Sequence, residues 1–336
     1  MTTTPTTTAP TNWVIVGAGA LGRSFAALLA KQGQSVTLLA TARGVEQLAA
    51  AGAIRLCGAI DTTVSLQDVR LTRDPHDVPE QAVVIFTTKG HDLPAAIDAV
   101  RTAAARRVAW AAGVQNGVLK DDLLQAAFGA ERTVGAATIF GAQRQPDGSV
   151  RVGSRGMTYL GEHSGQLSDR VQQAALTLDA AAIPTQARAD IPSVEWSKAC
   201  NATGVFGVAV LARCSNQRLF SDRHLMRAYL ALVRETAAVA AACGASVGNY
   251  AAFPPIGTYV ERDDDAILAQ LPDAADDGQP PAYASMTDDL LAGRPLEVDA
   301  VFGDIVARAD HHHVPVPCLR LVRDVLRALD PGRHDR

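Results

Sequence analysis

Cysteine is sparse and unpatterned in this chain. Five residues, Cys57, Cys200, Cys214, Cys243 and Cys318, are odd in number and never fall in C-x-x-C spacing. This excludes a disulfide framework and a cysteine zinc site, and it predicts reduced thiols in a cytoplasmic compartment. Aromatics are only 5% of the residues, so helix packing must rest on alanine and branched aliphatics. Neither sign of charge dominates. A net charge of -4 provides no footing for nucleic acid. No apolar run reaches the length of a membrane span. The first twelve residues, Met1 to Asn12, lack a charged n-region and an apolar h-region, which predicts a disordered tail rather than a signal peptide. EF-hand spacing is missing from Asp263–Asp265 and from Asp276–Asp277, and His311-His312-His313 has no partner cluster. No metal is therefore expected.

Against these absences stands ample core-forming material: 48% of 336 residues are hydrophobic. That length predicts two domains. Up to about Pro184 the pattern alternates strands and helices, with separate late strands expected at Ser149 to Gly153 and Met157 to Gly161. From Pro192 onward it is helical. The expected architecture is α/β: an N-terminal Rossmann-type doubly wound sheet over 13–189, then an all-α domain over 190–330. Alanine-rich faces in the second domain permit a homodimer.

The richest local signal is Trp13-Val-Ile-Val-Gly17-Ala-Gly19-Ala20-Leu21-Gly22, a strand pattern running straight into G-x-G-x-x-G and a helix. Gly17 allows the tight turn, Gly19 the close approach of a pyrophosphate, and Gly22 close helix–strand packing. Phosphates would sit on the free N–H groups at the helix start, with Ala20 and Leu21 part of that cradle. An NAD site would place a carboxylate at the end of the second strand. Here Ser35 to Leu39 is followed by Ala40, Thr41, Ala42 and Arg43, and no carboxylate comes before Glu46. Arg43 suits a 2′-phosphate, with a neutral hydrogen bond from Thr41, so NADPH is the expected cofactor. The alternative is that Arg43 is a surface charge before a helix. Ligands of such sheets bind at carboxyl strand ends, which singles out Lys89, as a charge near phosphate or ribose, and Asn116 of Gln115-Asn116-Gly117. Asn116-Gly117 also reads as a simple turn.

In the second half, Asp190-Ile-Pro-Ser-Val-Glu195-Trp-Ser-Lys198 opens a helix. Lys198 lies in an Ala/Val-rich stretch running to Ala212, a poor setting for a merely solvated lysine. Later come Ala284-Ser285-Met286 and Gly293-Arg294-Pro-Leu-Glu297-Val-Asp299.

In order and spacing these pieces resemble the ketopantoate reductase (2-dehydropantoate 2-reductase) family, from about Trp13 to Arg327. The resemblance implies a Rossmann domain plus a helical domain with the active site in the cleft between them. It also implies an oxidoreductase acting on CH–OH groups, which reduces a 2-keto acid with NADPH. By the same resemblance Lys198 matches the catalytic lysine and Glu297 the carboxylate that binds substrate hydroxyls and orients it. Ser285 matches a contact to the substrate carboxylate, and Asn116 the asparagine near nicotinamide and lysine. Read alone, Glu297 fits a helix-surface pair with Arg294, and Ser285 an N-cap. The chain departs from the family one and two turns after Lys198. Asparagines are common there, and this sequence has Ala202 and Phe206. Asn201 is the available amide, on a neighbouring helix face. The departure leaves ketopantoate as the default substrate and a bulkier or more apolar keto acid as the alternative. A non-catalytic NADP(H) sensor is the competing class.

Overall fold

The computed structural model describes residues 11–251, 253–272 and 281–333. The first ten residues of the expected tail lie outside this range, as do residues 273–280 of the acidic segment. Asn12, expected in the tail, instead pairs in the first strand. The chain forms two compact units. The first holds the described residues to Thr88, Asp92–Gln115 and Leu123–Ala189. The second holds Lys89–His91, Asn116–Asp122 and the described residues from Asp190 on.

The first unit runs β1 (Asn12–Val16), α1 (Ala20–Lys31), β2 (Ser35–Leu39), α2 (Ala42–Ala51), β3 (Ala53–Gly58), β4 (Thr62–Ser65), β5 (Arg70–Thr72), β6 (Ala82–Phe86), α3 (Leu93–Ala104), β7 (Val108–Gly113), α4 (Leu119–Phe128, its first turn counted with the second unit), β8 (Val134–Arg144), β9 (Val150–Glu162), α5 (Asp169–Ala180) and β10 (Thr185–Ala187). One sheet is wholly parallel, in the order β5-β2-β1-β6-β7. Its central strand explains the continuous apolar run: Val14 and Ile15 are fully buried, as a strand covered on both faces must be. Trp13 on β1 meets Trp110 on β7 edge to face at 6.4 Å.

The remaining strands form a second, mixed sheet, β10-β9-β3-β4, with β8 paired to β9. The two short strands expected at Ser149 to Gly153 and Met157 to Gly161 are one strand, β9. The chain passes through Gly153 and Gly156 as an irregularity in the long β8–β9 hairpin, where the register shifts between Thr138 and Phe140. A Cβ on Gly156 would lie 2.3 Å from the Ile139 carbonyl oxygen, so only glycine fits opposite that bulge. The β signal also persists slightly past Pro184, since β10 pairs parallel to β9.

The described part of the second unit is helical apart from its loops: α6 (Ile191–Ala212), α7 (Asn216–Ser221), α8 (Arg223–Ala242), α9 (Ile256–Glu261), α10 (Asp264–Leu268), α11 (Ser285–Leu291), α12 (Asp304–His311) and α13 (Pro317–Leu329). A π-helical turn, Asp299–Gly303, leads into α12. α6 starts with Pro192 in its first turn and is buried on nearly every face, which suits a helix apolar all round. Gly204 and Gly207 let α8 approach it. A Cβ at Gly204 would lie 2.5 Å from the Tyr229 ring, and one at Gly207 2.5 Å from Leu232. Among the described residues no helix is long and apolar enough to cross a membrane.

Candidate active site

In the first unit, the turn after β1 is shaped by backbone constraints. Gly17 has φ 110°, a region L side chains rarely adopt. At Gly22 a Cβ would sit 1.8 Å from the Gly17 carbonyl oxygen and 2.5 Å from Thr87 Oγ1. The Thr87 hydroxyl in turn lies 3.0 Å from the carbonyl oxygens of both Val16 and Gly17, tying the turn to the end of β6. Arg23 adds a second tie, donating from Nε to the Ala18 carbonyl at 2.9 Å. Gly19 differs from both glycines: a Cβ there would meet no protein atom within 4 Å. It caps α1 without a side-chain hydrogen bond, and the first turn carries no acidic residue. An open backbone at an uncapped, uncharged helix start fits a dinucleotide pyrophosphate. Beyond β2, Thr41 caps α2 by accepting from Gly44 N. Arg43 is exposed and makes no hydrogen bond or ion pair among the described residues. The carboxylate-free, cationic end of β2 fits a 2′-phosphate.

The second unit assembles a cluster of buried charge. Glu297 is buried and stands just before the π turn. Its Oε1 accepts from Gly90 N at 2.7 Å and its Oε2 from Lys89 Nζ at 3.0 Å. Lys89 also donates to Asp289 Oδ2 at 2.6 Å, and the other oxygen of Asp289 accepts from Arg294 Nε at 2.8 Å. Lys89, expected near phosphate or ribose, has its charge balanced by two carboxylates in this structure. Burial alone would lower its pKa, yet Glu297 and Asp289 outweigh burial and hold it above the ordinary lysine value. Glycines make this packing possible. A Cβ on Gly90 would lie 2.6 Å from the Ala300 Cβ, and one on Gly117 2.6 Å from the Ala300 carbonyl oxygen. The surface pair between Glu297 and Arg294 does not form. Arg294 goes to Asp289 instead.

Lys198 is buried on α6. Burial first, and the positive charge of Lys120 second, bring its pKa down from 10.5 to about 7, against the opposing pull of Glu195, Glu297 and Asp121. Lys120 is itself clamped, with Nζ 2.6 Å from Asp121 Oδ2 and 2.5 Å from Glu195 Oε1. Lys120, Asp121 and Asp289 were not legible as site residues, and Glu195 read only as a helix-start carboxylate. The usable signal was a lysine and an aspartate just after Asn116-Gly117, together with Glu195 three residues before Lys198.

The other expected residues fall as follows. Asn116 is half-buried on the loop before α4, and its side chain makes no hydrogen bond among the described residues. Ser285 is exposed and is the first residue of α11; the cap position belongs to Ala284, so the N-cap alternative is not realised. Asn201 is half-buried, and its Oδ1 accepts from the Tyr229 hydroxyl at 2.9 Å, which leaves its amide N–H groups for another partner. Ala202 and Phe206 are buried in the apolar core of the unit.

Comparison with known proteins agrees over most of the chain. A family model described as ketopantoate reductase PanE/ApbA matches residues 13–165, and the corresponding C-terminal model matches residues 190–330. The 2-dehydropantoate 2-reductase of Pyrococcus abyssi is 25% identical over 305 residues, covering 90% of this chain and 92% of its own. Among solved structures, 2-dehydropantoate 2-reductase from Geobacter metallireducens superposes with a TM-score of 0.79 at 22% identity, covering 94% of this chain and 99% of its own. D-mandelate dehydrogenase, solved as a ternary structure with NADH and anilino(oxo)acetate, superposes with a TM-score of 0.77 at 18% identity, covering 94% and 98%. At such identities the two structural likenesses are ones of fold.

Proposed function

The chain belongs to the ketopantoate reductase family, and on that footing we propose that it reduces a 2-keto acid, ketopantoate by default, to the 2-hydroxy acid with NADPH. The observation that carries the reading is Lys198, a buried amine whose pKa is brought down to about 7. An acid of that strength is well matched to protonating an oxygen near neutral pH. Bound NADPH supplies the hydride.

The chain's own residues supply the rest. As negative charge grows on the carbonyl oxygen, the Lys198 ammonium stabilises it and gives up its proton to it. Glu297 accepts hydrogen bonds from substrate hydroxyls, and Gly90 N and Lys89 hold it rigid for that task. Ser285 contacts the substrate carboxylate. Asn116 offers its unengaged amide to substrate and nicotinamide, and Asn201 contributes the N–H groups that Tyr229 leaves free. The first unit holds NADPH through Gly17, Gly19, Ala20, Leu21 and Gly22, with Thr41 and Arg43 on the 2′-phosphate. Homodimer formation through the helical unit is part of the proposal. It is supported by Leu321 and Val325, exposed one turn apart on α13, and checked by sedimentation at micromolar concentration.

Consumption of NADPH with ketopantoate, compared with phenylglyoxylate, tests the reaction and the substrate together. Preference for ketopantoate supports the family default. Preference for phenylglyoxylate supports the second reading, a bulkier keto acid, which Ala202 and Phe206 in place of amides beyond Lys198 favour. Binding of NADPH without turnover of either acid would sink the enzymatic reading in favour of a sensor. Turnover is expected to fall about tenfold per pH unit above the Lys198 pKa, because only the protonated amine donates. Arg43→Ala should raise the KM for NADPH by about 10- to 100-fold, the cost of a charge-assisted hydrogen bond, and leave the KM for NADH unchanged. Equal effects on both cofactors would remove Arg43 from the 2′-phosphate.

A further inference from the structure

Lys120 has no step in the reaction above, yet it is among the most deeply buried charges of the second unit, with a side-chain exposure of 2%. It stands in the first turn of α4, and its Nζ lies 2.6 Å from Asp121 Oδ2 and 2.5 Å from Glu195 Oε1. Glu195 precedes Lys198 by three residues, so the two side chains are neighbours on α6. A buried ion pair is poor evidence of a stabilising role, since apolar residues of similar volume are often as stable in its place. Its 2.5 Å contact with Glu195, one helical turn before Lys198, offers another account.

We propose that Lys120 is a positioning residue for proton transfer: clamped by Asp121 and Glu195, its fixed positive charge sets how readily Lys198 releases its proton. The inference rests on the reading of Lys198 as proton donor. Charged groups acting on Lys198 include Lys120 and Asp121 from α4, Glu195 from its own helix, and Glu297 from the segment before the π turn. Lys120 alone among these four is positive, and after burial it is the largest cause of the lowered Lys198 pKa. Asp121 is pushed well above the usual carboxylate range by burial and by the Glu195 carboxylate beside it. Without Lys120, the carboxylates would be opposed by burial alone, and the proton would be held more firmly on Lys198.

The test is a lysine ¹³Cε NMR titration of the protein without cofactor, with the Lys198 resonance identified by its loss in Lys198→Ala, alongside the pH profile of kcat. Lys120→Met should raise the Lys198 midpoint by about one unit or more and carry the alkaline limb of kcat with it. Lys120→Arg keeps the charge and should leave the midpoint in place. Glu195→Gln removes an opposing carboxylate and should move the midpoint down, an opposite sign that a general loss of packing would not produce. An unmoved midpoint in folded Lys120→Met overturns the proposal. If that variant does not fold, an unmoved or raised midpoint in Glu195→Gln overturns it. Retained turnover in Lys198→Ala is a different result, which removes the proton-donor reading itself.

Discussion

Lys198→Ala is expected to lower kcat by about 10²- to 10⁴-fold, the range in which a positioned general acid acts, with NADPH affinity unchanged. The size follows from which effect wins at Lys198. Three carboxylates favour its charged form, but burial and Lys120 together exceed them and leave an amine with a pKa of about 7. Such a group is protonated often enough to stabilise the developing alkoxide and acidic enough to release the proton to it. Lys198→Arg separates the two tasks. A guanidinium keeps the positive charge but does not lose its proton at any working pH, so part of the rate should remain while the alkaline limb disappears. Steady-state kinetics with ketopantoate and isothermal titration with NADPH read both quantities. If Lys198→Ala retains turnover within about tenfold of wild type, proton donation lies elsewhere.

The second large effect is expected from two glycines three residues apart in the same turn. Gly22→Ala would place a methyl 1.8 Å from the Gly17 carbonyl oxygen, a backbone atom with little room to move. The result should be a loss of about 2 kcal/mol or more of stability, read as a fall in Tm, with loss of NADPH binding. At Gly19 the added methyl meets no protein atom within 4 Å, and the backbone there has φ -72°. Gly19→Ala should therefore leave Tm nearly unchanged or slightly raised. It should still weaken NADPH by about tenfold or more, because the methyl occupies the space the pyrophosphate needs. Equal damage to stability in both variants, or unchanged NADPH affinity in Gly19→Ala, would refute the assignment of this turn to the cofactor.

Much of the fold and part of the site were legible in the sequence because their causes are local. The run Val14 to Val16, the turn through Gly17 to Gly22 and the helix that follows are specified by neighbours within a dozen residues. So is the absence of a carboxylate after Leu39. Lys198 was legible for a related reason: a lysine inside an apolar helix has few ways to remain charged. The pairing of Glu297 was not legible. Its partners, Lys89 and Gly90, are more than two hundred residues away in sequence, and the local pattern offered Arg294 instead. Glu195 read as an ordinary helix-start charge and Lys120 did not stand out, until α4 and α6 brought them to 2.5 Å. Ser149 to Gly153 and Met157 to Gly161 read as separate strands, because nothing local reveals that Ile139 lies opposite Gly156.

By itself, then, the sequence determined the order of the elements, the nucleotide turn and the presence of a lysine in an apolar helix. Each follows from hydrophobic period and backbone freedom. Tertiary structure alone decided which charges meet: Glu297 with Lys89 and Gly90, Asp289 with Arg294, and Lys120 with Glu195. The strength of Lys198 as an acid belongs to that second set. Desolvation and Coulombic coupling depend on burial and distance, and chain separation encodes neither.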